Sequence, residues 1–187
     1  WERVFVAVVL IVAAVAFLYW VGALYIAATI EVSESGGNYV EGIAGQPRYV
    51  NPILSQTSDA DADLVKLIFC GLYSYDTQGK LQPELAESLD VSEDGKIYTV
   101  HLKQGSFFHD GNEVTADDVA FTVQAIQSPA NKSPLRQNWQ AVEVRVADRY
   151  TVIFELKKAY FGFPENLTVG ILPKHIWSDI GADKFLL

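Results

Sequence analysis

The chain has 187 residues, carries 14 Lys and Arg against 23 Asp and Glu for a net charge of −9, and is half apolar. An acidic chain with no basic run excludes a nucleic-acid binder built on phosphate contacts. The single Cys excludes an intrachain disulfide and a multi-cysteine zinc site.

Residues 4–30 hold the apolar excess: only Gly22 and Thr29 there are not apolar. As a helix this run spans roughly 40 Å, enough to cross a hydrocarbon core of about 30 Å. It predicts one membrane-spanning helix, with residues 1–3 as its cytoplasmic end. Arg3 on one side and Glu31 and Glu34 on the other place the N-terminus inside and the rest outside the cytoplasmic membrane. A cleavable signal peptide is the rival reading. Its apolar region would be about 7–15 residues and would end in a small-x-small site. The run is longer than that, and Ala27-Ala28-Thr29 is a poor version of such a site.

Residues 31–36 read as a polar linker, and residues 37–187 as an extracytoplasmic domain. Within it, residues 38–44 alternate as a strand does. Ser58 or Asp59 caps a helix over residues 60–69, with Asp59, Asp61 and Asp63 at its positive end. Leu64, Leu67 and Ile68 form its apolar stripe, and Gly71 stops it. Gly79 and Gly95 close two hairpin turns. Pro83 opens a short helix through residue 87. Residues 97–103 form a strand that buries Tyr98, Val100 and Leu102. Thr115 and Asp118 make a capping box for a helix to about residue 127, with Val119, Val123 and Ile126 on one side. A polar loop covers residues 128–138, and residues 142–146 and 150–156 pair as a hairpin. Residues 161–164 and 172–176 are irregular or short helical pieces. The mixture lacks a strict βαβ rhythm, which makes the class α/β in the mixed, α+β sense.

Catalytic and metal constellations are weak. His101, His109 and Asp110 have the residue types of a metal site, but their spacing suits a strand face and a turn better. Asp117 and Asp118 are explained by the helix N-terminus. Cys70 reads as a small buried hydrophobe beside an apolar helix face. His175 has no Ser or Cys nucleophile at an identifiable elbow. The residues favour a binding module over an enzyme, with no cofactor and no metal.

The order of short motifs carries more information. Leu85-Ala-Glu-Ser88, Asp94-Gly-Lys96, Tyr98 to Gly105, Phe108-His-Asp-Gly111 and Val114 to Val119 follow one another. Asn51-Pro52 and Ile68 to Leu72 precede them, and Thr151 to Leu156 and Ile171 to His175 come after. This series resembles the signature of the family 5 extracellular solute-binding proteins, the oligopeptide, dipeptide and nickel receptors of ABC importers. The resemblance covers about residues 37–177.

The resemblance implies a two-lobed fold of the type II periplasmic-binding-protein kind that closes on its ligand. The expected role is capture of peptides outside the cytoplasmic membrane for delivery to the permease subunits. Alternatives are a nickel, haem or other small-solute receptor of the same family, or a membrane-tethered peptide-binding module without import. Gln56, Thr57 and Ser58, together with Leu135, Arg136 and Trp139, occupy stretches that line the ligand cleft in peptide-binding relatives. Family members run to several hundred residues and commonly use a lipid anchor or are free in the periplasm. With that length and the absence of Met, the expectation is an N-terminal piece holding part of the first lobe.

Overall fold

The computed structural model describes residues 1–28, 37 and 40–180. It divides into two units, residues 1–42 and residues 43–187. The first contains one long helix, α1 (Glu2–Ala28), whose apolar side chains up to Tyr25 are exposed. Its stretch Glu2–Tyr25 is long and apolar enough to cross a membrane. The predicted linker, residues 31–36, lies outside the described residues, as do residues 38–39 of the first predicted strand. Residues 40–44 form no strand and are all exposed. Alternation alone does not make a strand: a ladder partner is needed, and Gly42 and Gly45 weaken the segment further.

The second unit is built on a four-stranded antiparallel sheet in the order β3-β4-β6-β5. Its strands are β3 (Ala86–Val91), β4 (Ile97–Leu102), β5 (Val142–Asp148) and β6 (Thr151–Leu156). Opposite residues are Tyr98 with Phe154 and Val100 with Val152. The period of two puts Tyr98, Val100, Leu102, Val152, Phe154 and Leu156 on one buried face. Helix α3 (Ala116–Gln127) covers it with Val119, Val123 and Ile126, as the spacing predicts. The other face is solvated, the usual arrangement for an antiparallel sheet with one covered side.

Asp118 ties α3 to two neighbours. One carboxylate oxygen accepts from the backbone and hydroxyl of Thr115, at 2.9 and 2.8 Å. The other accepts from the backbone N–H of Lys174 at 2.9 Å. The capping box is therefore also the anchor for a distant segment, the short helix α6 (Lys174–Trp177).

A small hairpin, β1 (Tyr73–Tyr75) with β2 (Leu81–Pro83), lies beside this sheet. Gly79 and Gly95 close their turns at φ +76° and +65°, conformations that favour glycine. The helix predicted over residues 83–87 is absent. That stretch is the end of β2 and the start of β3, because Glu84 and Ala86 donate to the Leu72 carbonyl and Leu85 to that of Gly71. Pro83 is tolerated as the last residue of a two-stranded ribbon, where its missing N–H breaks no central ladder.

Helix α2 (Asp59–Ile68) forms where predicted, but its buried side differs. Ala60, Asp61 and Val65 face inward, whereas Leu67 and Ile68 are exposed. Gly71 does not terminate the helix through a left-handed conformation. It is needed because a Cβ there would meet the carbonyl oxygens of Thr168 at 2.8 Å and Tyr73 at 2.9 Å. Cys70 is exposed rather than buried.

Candidate functional site

The segment from Asn51 to Ser58 leads into α2 and is held by its own polar groups. Asn51 folds it into a tight turn: its side-chain oxygen accepts from Ile53 at 3.1 Å, and its carbonyl accepts from Leu54 and Ser55. Ser55–Thr57 is one turn of 3-10 helix, and the Thr57 hydroxyl donates to the Leu54 carbonyl at 3.1 Å. From across the fold, Ser133 donates its hydroxyl to the Ile53 carbonyl at 2.6 Å, inside the core.

This segment helps to line a cleft of about 240 Å³. Pro52, Ser55 and Gln56 meet Leu135, Asn138 and Trp139 in its lining, together with residues from Glu165 to Gly170. Of the six residues the sequence singles out, the structure brings three together here: Gln56, Leu135 and Trp139. Gln56 and Thr57 are exposed, while Ser58 is half-buried at the N-cap position of α2 with no side-chain capping bond. Thr57 and Ser58 stand beside the cleft without lining it.

Trp139, at the end of the short helix α4 (Arg136–Trp139), is 2% exposed. Its ring packs edge-on to Phe163 at 5.6 Å and tilted against Phe154 at 5.9 Å between centroids. Most of this side chain is core, and only its border reaches the cleft. Arg136 points to a separate, more open recess, where its Nε donates to the Gln127 carbonyl at 2.9 Å.

The cleft offers neutral hydrogen-bonding side chains in Gln56, Asn138 and Asn166, with Lys66 and Glu165 among its other lining residues. Such a lining can exchange hydrogen bonds with the backbone of an extended ligand. Asn166 belongs to the short helix α5 (Phe163–Asn166) and, like Asn138, escapes sequence reasoning: neither lies in a recognisable motif. Gly170, also in the lining, is required by a close approach of two side chains. A Cβ there would come within 2.6 Å of the Phe69 Cβ and 3.1 Å of the Pro52 Cβ.

The other candidates have local partners. His101 sits with Nδ1 3.2 Å from the Thr151 hydroxyl and Nε2 3.3 Å from Asp90. Asp110 pairs with His175 at 2.5 Å and accepts from the Asn112 backbone at 3.0 Å. Those contacts, the His175 one first, hold its carboxyl down at about 2. Asp117 pairs with Lys174 at 3.0 Å. Among the described residues no three of His, Cys, Asp and Glu cluster as a metal site would require. The thiol of Cys70 is raised above its ordinary value, first by partial burial and then by the neighbouring Glu84 carboxylate, the opposite of what a nucleophile needs.

Residues 80–184 match the family model described as bacterial extracellular solute-binding proteins, family 5 Middle. That match covers more than half of the chain. The chain belongs to this family. Family 5 is a family of solute-binding receptors, not of enzymes. Among the relatives is the oligopeptide-binding protein AppA of Bacillus subtilis, 34% identical over 150 residues, which are 79% of this chain and 27% of AppA. The solved structure of that AppA with a nonapeptide superposes with a TM-score of 0.67 at 33% identity, over 74% of this chain and 28% of that one. NikZ from Campylobacter jejuni, solved with Ni(L-His), matches with a TM-score of 0.67 at 34% identity, over 72% and 27%. The mixed α/β arrangement is thus that of family 5 over part of the chain, and the chain spans about a quarter of the length of these relatives.

Proposed function

We propose that this chain is part of a receptor that captures peptides outside the cytoplasmic membrane and passes them to the permease of an ABC importer. Residues 1–3 are the cytoplasmic end, residues 4–30 an uncleaved membrane anchor, residues 31–36 a linker, and residues 37–187 part of the binding domain. The observation that carries the peptide reading is the cleft beside residues 51–58. It is lined by the neutral amide side chains of Gln56, Asn138 and Asn166, with Lys66 and Glu165, and by a segment held in place through Asn51 and Ser133. The nonapeptide complex of a relative with the same local fold supports it.

Gln56, Thr57, Ser58, Leu135, Arg136 and Trp139 are the proposed ligand-side residues. Gln56 and Leu135 contribute directly, Trp139 by its border, and Thr57, Ser58 and Arg136 at the margins. Capture is by lobe closure, with no bond made or broken. A nickel chelate is the second reading, favoured by the equal likeness to NikZ.

Native mass spectrometry of the whole purified protein tests both readings. Co-purified masses of short peptides support the first, and a nickel chelate alone supports the second. Adjacent permease and ATPase genes would favour import over a tethered binding module. N-terminal sequencing of the mature protein tests the anchor. A start near residue 30 would make the apolar helix a leader instead.

A further inference from the structure

Asp61 is the one carboxylate that the core encloses completely, at 0% exposure among the described residues. It lies in the first turn of α2. One oxygen accepts from the backbone N–H of Arg48 at 2.6 Å and of Tyr49 at 3.1 Å. The other oxygen is buried with no hydrogen-bond partner. Burying a carboxylate is unfavourable unless it is well bonded. The positive end of α2 offsets part of that cost. What the remainder secures is visible in the chain path. Residues 48–49 run straight into the Asn51 turn, and α2 leaves that same segment at its far end. Asp61 thus reaches back from the exit of residues 51–58 to their entrance and closes the segment into a loop.

We infer that Asp61 is a positioning residue for the cleft: through the Arg48 and Tyr49 amides it fixes residues 51–58 in the conformation that faces the ligand. The inference rests on the reading that this segment lines a ligand site. A merely local role would protect only the two amides that Asp61 touches. A positioning role also protects Ile53, Leu54 and Ser55, which bond to Asn51 and not to Asp61.

The test is amide hydrogen exchange on the whole protein, comparing wild type, Asp61→Ala and Asp61→Asn. It is paired with calorimetric titration of a probe peptide, RPPGFSPFR. In Asp61→Ala the amides of residues 48–49 and of residues 53–55 exchange at least tenfold faster, and peptide affinity falls about tenfold. Asp61→Asn keeps an acceptor for both amides, so it retains protection at all five positions and binds within about threefold of wild type. The Asn variant also keeps the test meaningful should the Ala variant fail to fold. Faster exchange confined to residues 48–49, or loss of protection in Asp61→Asn equal to that in Asp61→Ala, overturns the inference. If wild type binds no peptide while the exchange pattern is as expected, the peptide reading falls and the positioning role of Asp61 stands.

Discussion

The hydroxyl of Ser133 and the carbonyl of Ile53 meet at 2.6 Å although they lie 80 residues apart. The same hydroxyl oxygen accepts from the Leu135 N–H at 3.2 Å, so one small side chain ties the segment of Ile53 to that of Leu135. Ser133→Ala leaves a buried carbonyl unsatisfied and should cost about 1–3 kcal/mol. Denaturant unfolding of the whole protein measures this. A loss below about 0.5 kcal/mol would mean that the bond is not made or that water replaces it.

Trp139 separates packing from binding. Its side chain is enclosed by Phe154 and Phe163, so Trp139→Ala should lose about 3–5 kcal/mol of stability. Trp139→Phe keeps most of the ring volume and should lose clearly less. A variant Trp139→Ala as stable as wild type, judged by its thermal midpoint, would place this ring outside the core.

Two glycines serve different ends. Gly71→Ala forces a Cβ against backbone carbonyls at 2.8 and 2.9 Å and should destabilise by about 1–3 kcal/mol. At Gly79 nothing lies within 4 Å, but φ is +76°, so Ala there should cost only about 1 kcal/mol through backbone strain. Parallel unfolding curves give the comparison, and equal losses would refute the close-approach explanation.

Acid should loosen the contact between the turn at Asp110 and α6. The folded carboxyl titrates at about 2, below the ordinary 3.8, through the bond to His175 and then that to Asn112. A depressed folded value means stability that is present above about pH 4 and lost as pH falls through about 2. Asp110→Asn should flatten this part of the stability-against-pH curve. An unchanged slope between pH 4 and 2 would show that Asp110 does not carry it.

The elements that could be read from sequence were those whose signal is local. Tyr98, Val100 and Leu102 alternate as they must on a half-buried strand, and Thr115 with Asp118 marks the start of α3. The helix expected at Pro83 failed because its rule concerns the first turn alone, whereas the backbone of Glu84 to Ala86 is claimed by Gly71 and Leu72. Leu67 and Ile68 looked like core because helical spacing gives a face but not what covers it. Gln56 and Leu135, which the ordered motifs single out, both line the cleft. Asn138, Asn166 and Gly170 stand in no such motif and come to it only in three dimensions. Asp61 reads in sequence as one more charge at a helix start, and only its contacts with Arg48 and Tyr49 set it apart.

Calorimetric titration of the whole protein decides whether it captures peptides without chemistry. The ligands are a pool of short peptides and, separately, nickel with L-histidine. Saturable heat with peptide, recovery of the peptide unaltered, and no saturable binding of the nickel chelate are expected. No heat with any peptide, together with saturable binding of nickel–histidine, would contradict peptide capture.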